Sequence, residues 1–419
     1  MNRATYRSSI FRAIAILLLI GITGLLAFGY FAQSTRNHIF NRYEDELARI
    51  QNNIKQLDPA DPKYAYQHVQ LAQLTGNFAD FHKADELLKN FSQDRELALL
   101  HAKIKLNMHD VARGEEFLQN LINHFPDART QELALDIALQ KGEYETALQL
   151  LRERLQSYAE WPDLARYAYL VHKFGDSIAA DELFVAAQDQ LSSKQIKDYA
   201  WLELQRGIID LEDEKYPDAQ AHFELANQVY PGHWLIEEHL AETYSLLDQS
   251  QKAVDLYEDV IKKSNDPMYL LALADLIESQ QSGRATQLKQ LAEEKFKQRY
   301  NYYPLAASGH LIDAWIEQEK KHPNPQRRER LLKLSELNLQ HRPNADSQIQ
   351  RIKVLLLTEQ SEEAQQLTEK LLSTPWRTPD VLQLAEHFEM NVPEQWAEFM
   401  PEVMMRSDAL VVRYFDISR

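Results

Sequence analysis

The sequence predicts an all-α protein, a helical-hairpin solenoid (superhelix) carried behind one N-terminal transmembrane helix. Three observations predict it. Glycine is scarce, 11 in 419 residues with three of those in the N-terminal apolar segment, too few for a turn-rich sandwich, barrel or doubly wound sheet. Residues 13–32 form a long apolar run without a charge. Turn signals then recur about every 33 residues between amphipathic runs.

The composition excludes several functions. Without cysteine there is no disulfide, no thiolate metal site and no thiol nucleophile. With 63 acidic against 46 basic residues, the formal charge of −17 opposes nucleic-acid binding, which needs cations to displace counterions from phosphate.

Taken in order, residues 1–12 read as a cytoplasmic tail and 13–32 as the membrane anchor. At 1.5 Å rise per residue, the 20 residues AIAILLLIGITGLLAFGYFA cross a hydrocarbon core of roughly 30 Å. Arg3, Arg7 and Arg12 lie densely before the span, whereas Arg36, Arg42 and Arg49 are spread out after it. That bias favours a cytoplasmic N-terminus and places the array in the periplasm, on a single-pass protein of a bacterial inner membrane. The competing reading is a secretory leader cleaved before Tyr30, although the apolar run exceeds the about 7–15 residues of a signal core.

Residues 33–60 are expected to hold a juxtamembrane helix. Phe40, Tyr43, Leu47, Ile50, Ile54 and Leu57 step by three and four, a heptad seam that stops at Pro59 and Pro62. Such a seam either packs on the helices after it, which its short length favours, or pairs two copies as a homodimer.

The repeat begins at residue 61. Gly76, Gly142 and Gly175 fall 66 and 33 residues apart, with His109 midway in the larger gap, and each punctuates two amphipathic runs. Two later units align at a 34-residue offset: Gly207, Tyr216, Ala219, Phe223, Ala226 and Pro231 against Ala241, Ser250, Ala253, Tyr257, Val260 and Asn265. Small residues there allow close helix contact, and the aromatic rings fill the space toward the next unit. Weaker copies contain Ala72, Ala84 and Leu88; Ala102, Gly114 and Leu118; Ala134, Ala147 and Leu151; and Ala168, Ala180 and Phe184. Ala180 to Ala219 is 39 residues, so extra chain lies near 190–197.

This pattern resembles the tetratricopeptide repeat (TPR) family, in the manner of bacterial TPR proteins with a single N-terminal membrane helix. About six units cover 61–266, without the family's first-helix tryptophan. Degenerate repeats continue over 267–390, with helices expected near 267–280, 284–299, 305–320 and 326–340. A further unit runs from Ile352 to Pro375, with its turn at Gln360-Ser361. Residues 391–419 are assigned to a cap and tail, in which 394–404 suits a short helix and 409–417 is rich in β-prone residues.

No catalytic motif is present, neither a phosphate loop, a G-x-S-x-G elbow nor an H-E-x-x-H helix, so no enzyme, cofactor or metal is expected. His233, Glu237 and His239 read as a helix face rather than ligands. The resemblance implies a partner-binding groove lined by first helices, mapping here to Gln73, Lys103, Glu132, Asp136, Tyr169, His172, Glu238 and Glu242. The carboxylate clamp of chaperone-tail receptors is missing. Between Arg284 and Lys353 the local charge is +6, densest at Lys320, Lys321, Arg327, Arg328, Arg330 and Lys333. Such a basic patch suits an acidic partner or lipid headgroups, or is a solvated helix face.

These features point to a non-enzymatic scaffold or assembly factor that binds protein partners in an envelope complex. The alternative is a glycan-guiding component of an exopolysaccharide export system, for which Tyr300, Tyr302, Tyr303 and Trp315 are the aromatic candidates.

Overall fold

The computed structural model describes residues 42–89, 94–124, 127–157 and 160–392. The anchor at 13–32, Phe40 of the seam and the segments at 394–404 and 409–417 lie outside them. Among the described residues no helix is long and apolar enough to cross a membrane.

The described residues contain twenty helices, of which α1 (Tyr43–Gln56) stands alone. Hairpins come next: α2 (Pro62–Thr75) with α3 (Phe78–Leu88), α4 (Arg95–Asn107) with α5 (Val111–His124), and α6 (Ala128–Lys141) with α7 (Tyr144–Ser157). After them are α8 (Trp161–Lys173) with α9 (Ser177–Asp189), α10 (Ile196–Glu212) with α11 (Tyr216–Val229), and α12 (Trp234–Leu246) with α13 (Ser250–Lys263). Then come α14 (Pro267–Ile277) with α15 (Ser282–Tyr302), α16 (Pro304–Lys321) with α17 (Pro325–His341), and α18 (Ala345–Leu357) with α19 (Ser361–Leu372); α20 (Pro379–His387) is last. The chain is thus an all-α helical repeat solenoid.

Local chemistry sets the helix ends. Asp61, Asn77, Asp94, Asp176, Asp266, Asn324 and Asn344 cap helix N-termini with their side chains, and Asp127 does so in a capping box with Thr130. The turn inside most hairpins repeats one design. A residue of positive φ ends the first helix, at Gly76, His109, Gly142, Gly175, Glu214, Asp248 and Glu359. After six of these seven the next residue bonds back five positions, as in Asp110 N–H to Lys105 O at 2.8 Å and Gln249 N–H to Tyr244 O at 2.8 Å. The extra chain after α9 becomes a loop over 190–195 and a 17-residue α10.

Within a hairpin the small residues let the helices touch. A Cβ at Gly207 would lie 2.5 Å from Phe223, so α10 and α11 approach only because it is absent. Ala219, Phe223, Ala226, Ala253, Tyr257 and Val260 are all buried.

Later repeats return onto early ones. Trp234 Nε1 donates to the Leu74 carbonyl at 2.8 Å, and the Arg299 guanidinium lies 4.4 Å from the centre of the Phe78 ring. Arg342 meets His109 Nδ1 at 3.1 Å, and Arg377 N–H donates to the Lys173 carbonyl at 2.7 Å. The starts of later first helices therefore sit on the turns of earlier hairpins, and successive superhelical turns are in direct contact.

Helix α1 joins this packing. Tyr43 N–H donates to the Pro231 carbonyl at 3.1 Å, while Glu46 takes Lys197 at 2.9 Å and the Tyr230 hydroxyl at 2.5 Å. Tyr43 and Ile50 are buried, and Leu47 and Ile54 pack on the same core. Four residues of the heptad seam, Tyr43, Leu47, Ile50 and Ile54, thus pack within the molecule.

Candidate functional site

The resemblance placed partner binding on the first helices, so their inward faces come first. In α4, α6 and α8 they form a buried charge network. Lys103 Nζ lies 3.2 Å from Glu132 Oε1, Arg166 Nη2 reaches the same oxygen at 3.1 Å, and Asp136 sits 3.7 Å from that guanidinium. Arg154 holds Asp163 at 2.9 Å. Burial pushes the Asp136 carboxyl up to about 7, against the pull of Arg166.

A second group lies where α8 meets α10. His172 Nε2 stands 2.8 Å from Glu212 and Lys173 Nζ 2.6 Å from it. Burial alone would raise the Glu212 carboxyl; Lys173 and His172 reverse this and hold it well below the ordinary carboxylate range. Tyr169 packs edge-on against Trp376 from the next superhelical turn, with 6.3 Å between ring centres. On α12, Glu238 is fully buried and lies 2.7 Å from His239, while burial and the neighbouring Glu238 and Glu212 push Glu242 well above its usual range.

The structure places most of the positions mapped to the groove in the interior. Lys103, Glu132, Asp136, Tyr169, His172, Glu238 and Glu242 are all buried, and Gln73 is half-buried. The structure brings Lys103, Glu132 and Asp136 together around Arg166, and Glu238 beside Glu242, as buried ion pairs and carboxyls. Lys103, Glu132 and Asp136 pack against side chains of adjacent hairpins, and Trp376 of a later repeat lies against Tyr169.

The basic patch is also largely spent internally. Arg327 and Arg328 both bind Glu319, at 3.3 and 2.6 Å, and that carboxylate is inaccessible to solvent. Lys320 pairs with Glu317 at 2.7 Å, Lys321 with Asp275 at 3.0 Å and Lys333 with Glu329 at 2.7 Å. Arg330 is exposed, and among the described residues it has no ion-pair partner. The sequence shows the excess of lysine and arginine here but not the buried acid that gathers two of them.

The aromatic candidates separate. Tyr300 and Trp315 pack on the core, Tyr303 lies against Phe78 and His82, and Tyr302 is 69% exposed. His233 is half-buried at the N-cap of α12, while Glu237 pairs with Lys263 at 2.6 Å and His239 with Glu238 at 2.7 Å.

Sequence reasoning missed Arg166, Glu212, Glu319 and Arg342, the partners that neutralise or line the interior. The available signal was a charged residue recurring at the inward positions of first helices. Periodicity alone does not tell a wet groove from a closed one.

The molecule is therefore a helical-hairpin repeat protein with a charged, closed interior. No protein-family model and no curated protein matches the chain. Among solved structures it is similar to yeast Tom70 (14% identity, 89% of this chain and 95% of that one, TM-score 0.38). It is also similar to the APC/C hetero-tetramer Cut9–Hcn1 (12%, 81% and 66%, TM-score 0.43) and to a human IFIT1 dimer with PPP-AAAA (13%, 89% and 95%, TM-score 0.39).

Proposed function

We propose that the protein is a non-enzymatic scaffold or assembly factor of a bacterial envelope complex, anchored in the inner membrane through residues 13–32 with its array in the periplasm. One observation carries the reading: a repeat array in which the mapped first-helix positions are buried or half-buried, while second helices such as α9, α11 and α13 keep exposed faces. An array of this kind offers partners an extended surface. In this reading partners dock on second helices such as α9, α11 and α13 and on the loops joining hairpins. Helix α1, held at Tyr230 and Pro231, fixes where the chain leaves toward the anchor.

Crosslinking in intact membranes followed by affinity capture of the full-length protein tests this. Partner proteins crosslinked to second helices are expected; recovery of the protein alone removes the scaffold reading. A reporter fused after Arg419 that is active only outside the cytoplasm checks the orientation, and its silence would invert it.

A further inference from the structure

Helix α3 carries three possible metal ligands on one face. His82, Asp85 and Glu86 occupy positions i, i+3 and i+4, which a helix brings together over one turn. Each offers one ligand atom, and these atoms all lie within 4.8 Å of one another. Donors each about 2.2 Å from one ion stand at most about 4.4 Å apart, a spacing that a small rotation of the exposed His82 or Glu86 side chain supplies.

Two of the three side chains are held from outside the helix. Asp85 is buried and receives His101 Nε2 at 2.8 Å, and Lys105 Nζ lies against both of its oxygens, at 2.6 and 2.7 Å. A carboxylate has about four lone-pair sites, so these three contacts orient it and leave about one for a metal. The His82 ring lies against Tyr303, with 5.8 Å between centres, and so is steadied by a residue of the next superhelical turn. Glu86 pairs with Lys89, an exposed partner one turn on that a divalent ion displaces. His82 and Glu86 are exposed, so ligands from one side leave open coordination positions toward solvent.

We propose that His82, Asp85 and Glu86 form a surface site for a divalent first-row transition metal of the zinc type, with at least one position open to water or to a group on a partner. The imidazole favours such a metal over magnesium or calcium, which prefer all-oxygen sets. The site lies at the seam between two superhelical turns, through the Tyr303 contact.

Cobalt and zinc titrations of the full-length protein in detergent test this. Co2+ is expected to give d–d absorption bands at one equivalent that Zn2+ abolishes. His82→Ala and Glu86→Gln should each weaken binding by about tenfold or more with helical circular dichroism unchanged. Equal binding by the wild type and the His82→Ala/Glu86→Gln double variant overturns the site, because the metal then sits on other histidines. Absence of cobalt bands in the wild type overturns it as well.

Discussion

Ala345 donates its backbone N–H to the Tyr144 hydroxyl at 2.7 Å, although 201 residues separate the two along the chain. The same ring stacks on Trp376, with centres 4.7 Å apart and planes 26° from parallel. One side chain on α7 thus receives the start of α18 and the approach to α20, and joins two superhelical turns. Tyr144→Phe keeps the stacking and orphans a buried N–H. It should cost about 1–3 kcal/mol in urea denaturation and speed exchange of the Ala345 amide. An unchanged midpoint would show that the bond between turns contributes nothing.

Glycines at a turn contact and in a helix should respond in opposite directions. Gly142 has φ +71°, and a Cβ there would stand 2.8 Å from the Pro343 carbonyl oxygen. Gly142→Ala should destabilise by more than about 1 kcal/mol, combining left-handed strain with separation of the turns. Gly283 lies in α15 with nothing within 4 Å of an added Cβ, so Gly283→Ala should stabilise by about 0.5–1 kcal/mol. Thermal denaturation of the two variants side by side checks the contrast.

Charge changes in the basic stretch should divide by what each arginine holds. Removing Arg327 and Arg328 together leaves the Glu319 carboxylate buried with only the Asn324 N–H bonded to it, a loss of about 2–3 kcal/mol. Arg330→Glu should change stability by less than about 0.5 kcal/mol. Chemical denaturation of both variants distinguishes a structural cluster from a uniformly solvated face, which would treat them alike.

The interior carboxyls set opposite pH trends. Asp136 and Asp313 are both raised to about 7, chiefly by burial, above an unfolded value near 4. The folded protein holds these protons more tightly, so their contribution is complete below about pH 4 and is lost as pH rises through 7. Urea midpoints should fall between pH 5 and 8, and Asp136→Asn should flatten part of that fall. Glu212 works the other way: lowered when folded, it stabilises above its unfolded value and loses that contribution as the medium turns acid. A variant that tracks the wild-type slope from pH 5 to 8 would show that Asp136 does not titrate there.

Much of the fold was legible because hairpin turns and helix contacts are local. Gly142, His109 and Gly175 mark turns through their backbone needs, and Ala219 with Phe223 mark helix contact through size. Glu214, Asp248 and Glu359 occupy the same left-handed turn and were hidden, because an exposed acid there looks like any surface residue. The groove assignments were positional: Glu132, Glu238 and Glu242 do lie on first helices. Their surroundings, Arg166 beside Glu132 and His239 beside Glu238, are what no spacing records.

The sequence by itself determined the helical class, the repeat and the helix ends, since each arises from interactions within about 34 residues. Only the tertiary structure decided that the superhelix closes on itself. Contacts such as Tyr144 with Ala345 and Arg377 with Lys173 join residues some 200 positions apart. Small angles added at every hairpin decide whether such residues meet, and no single repeat encodes their sum.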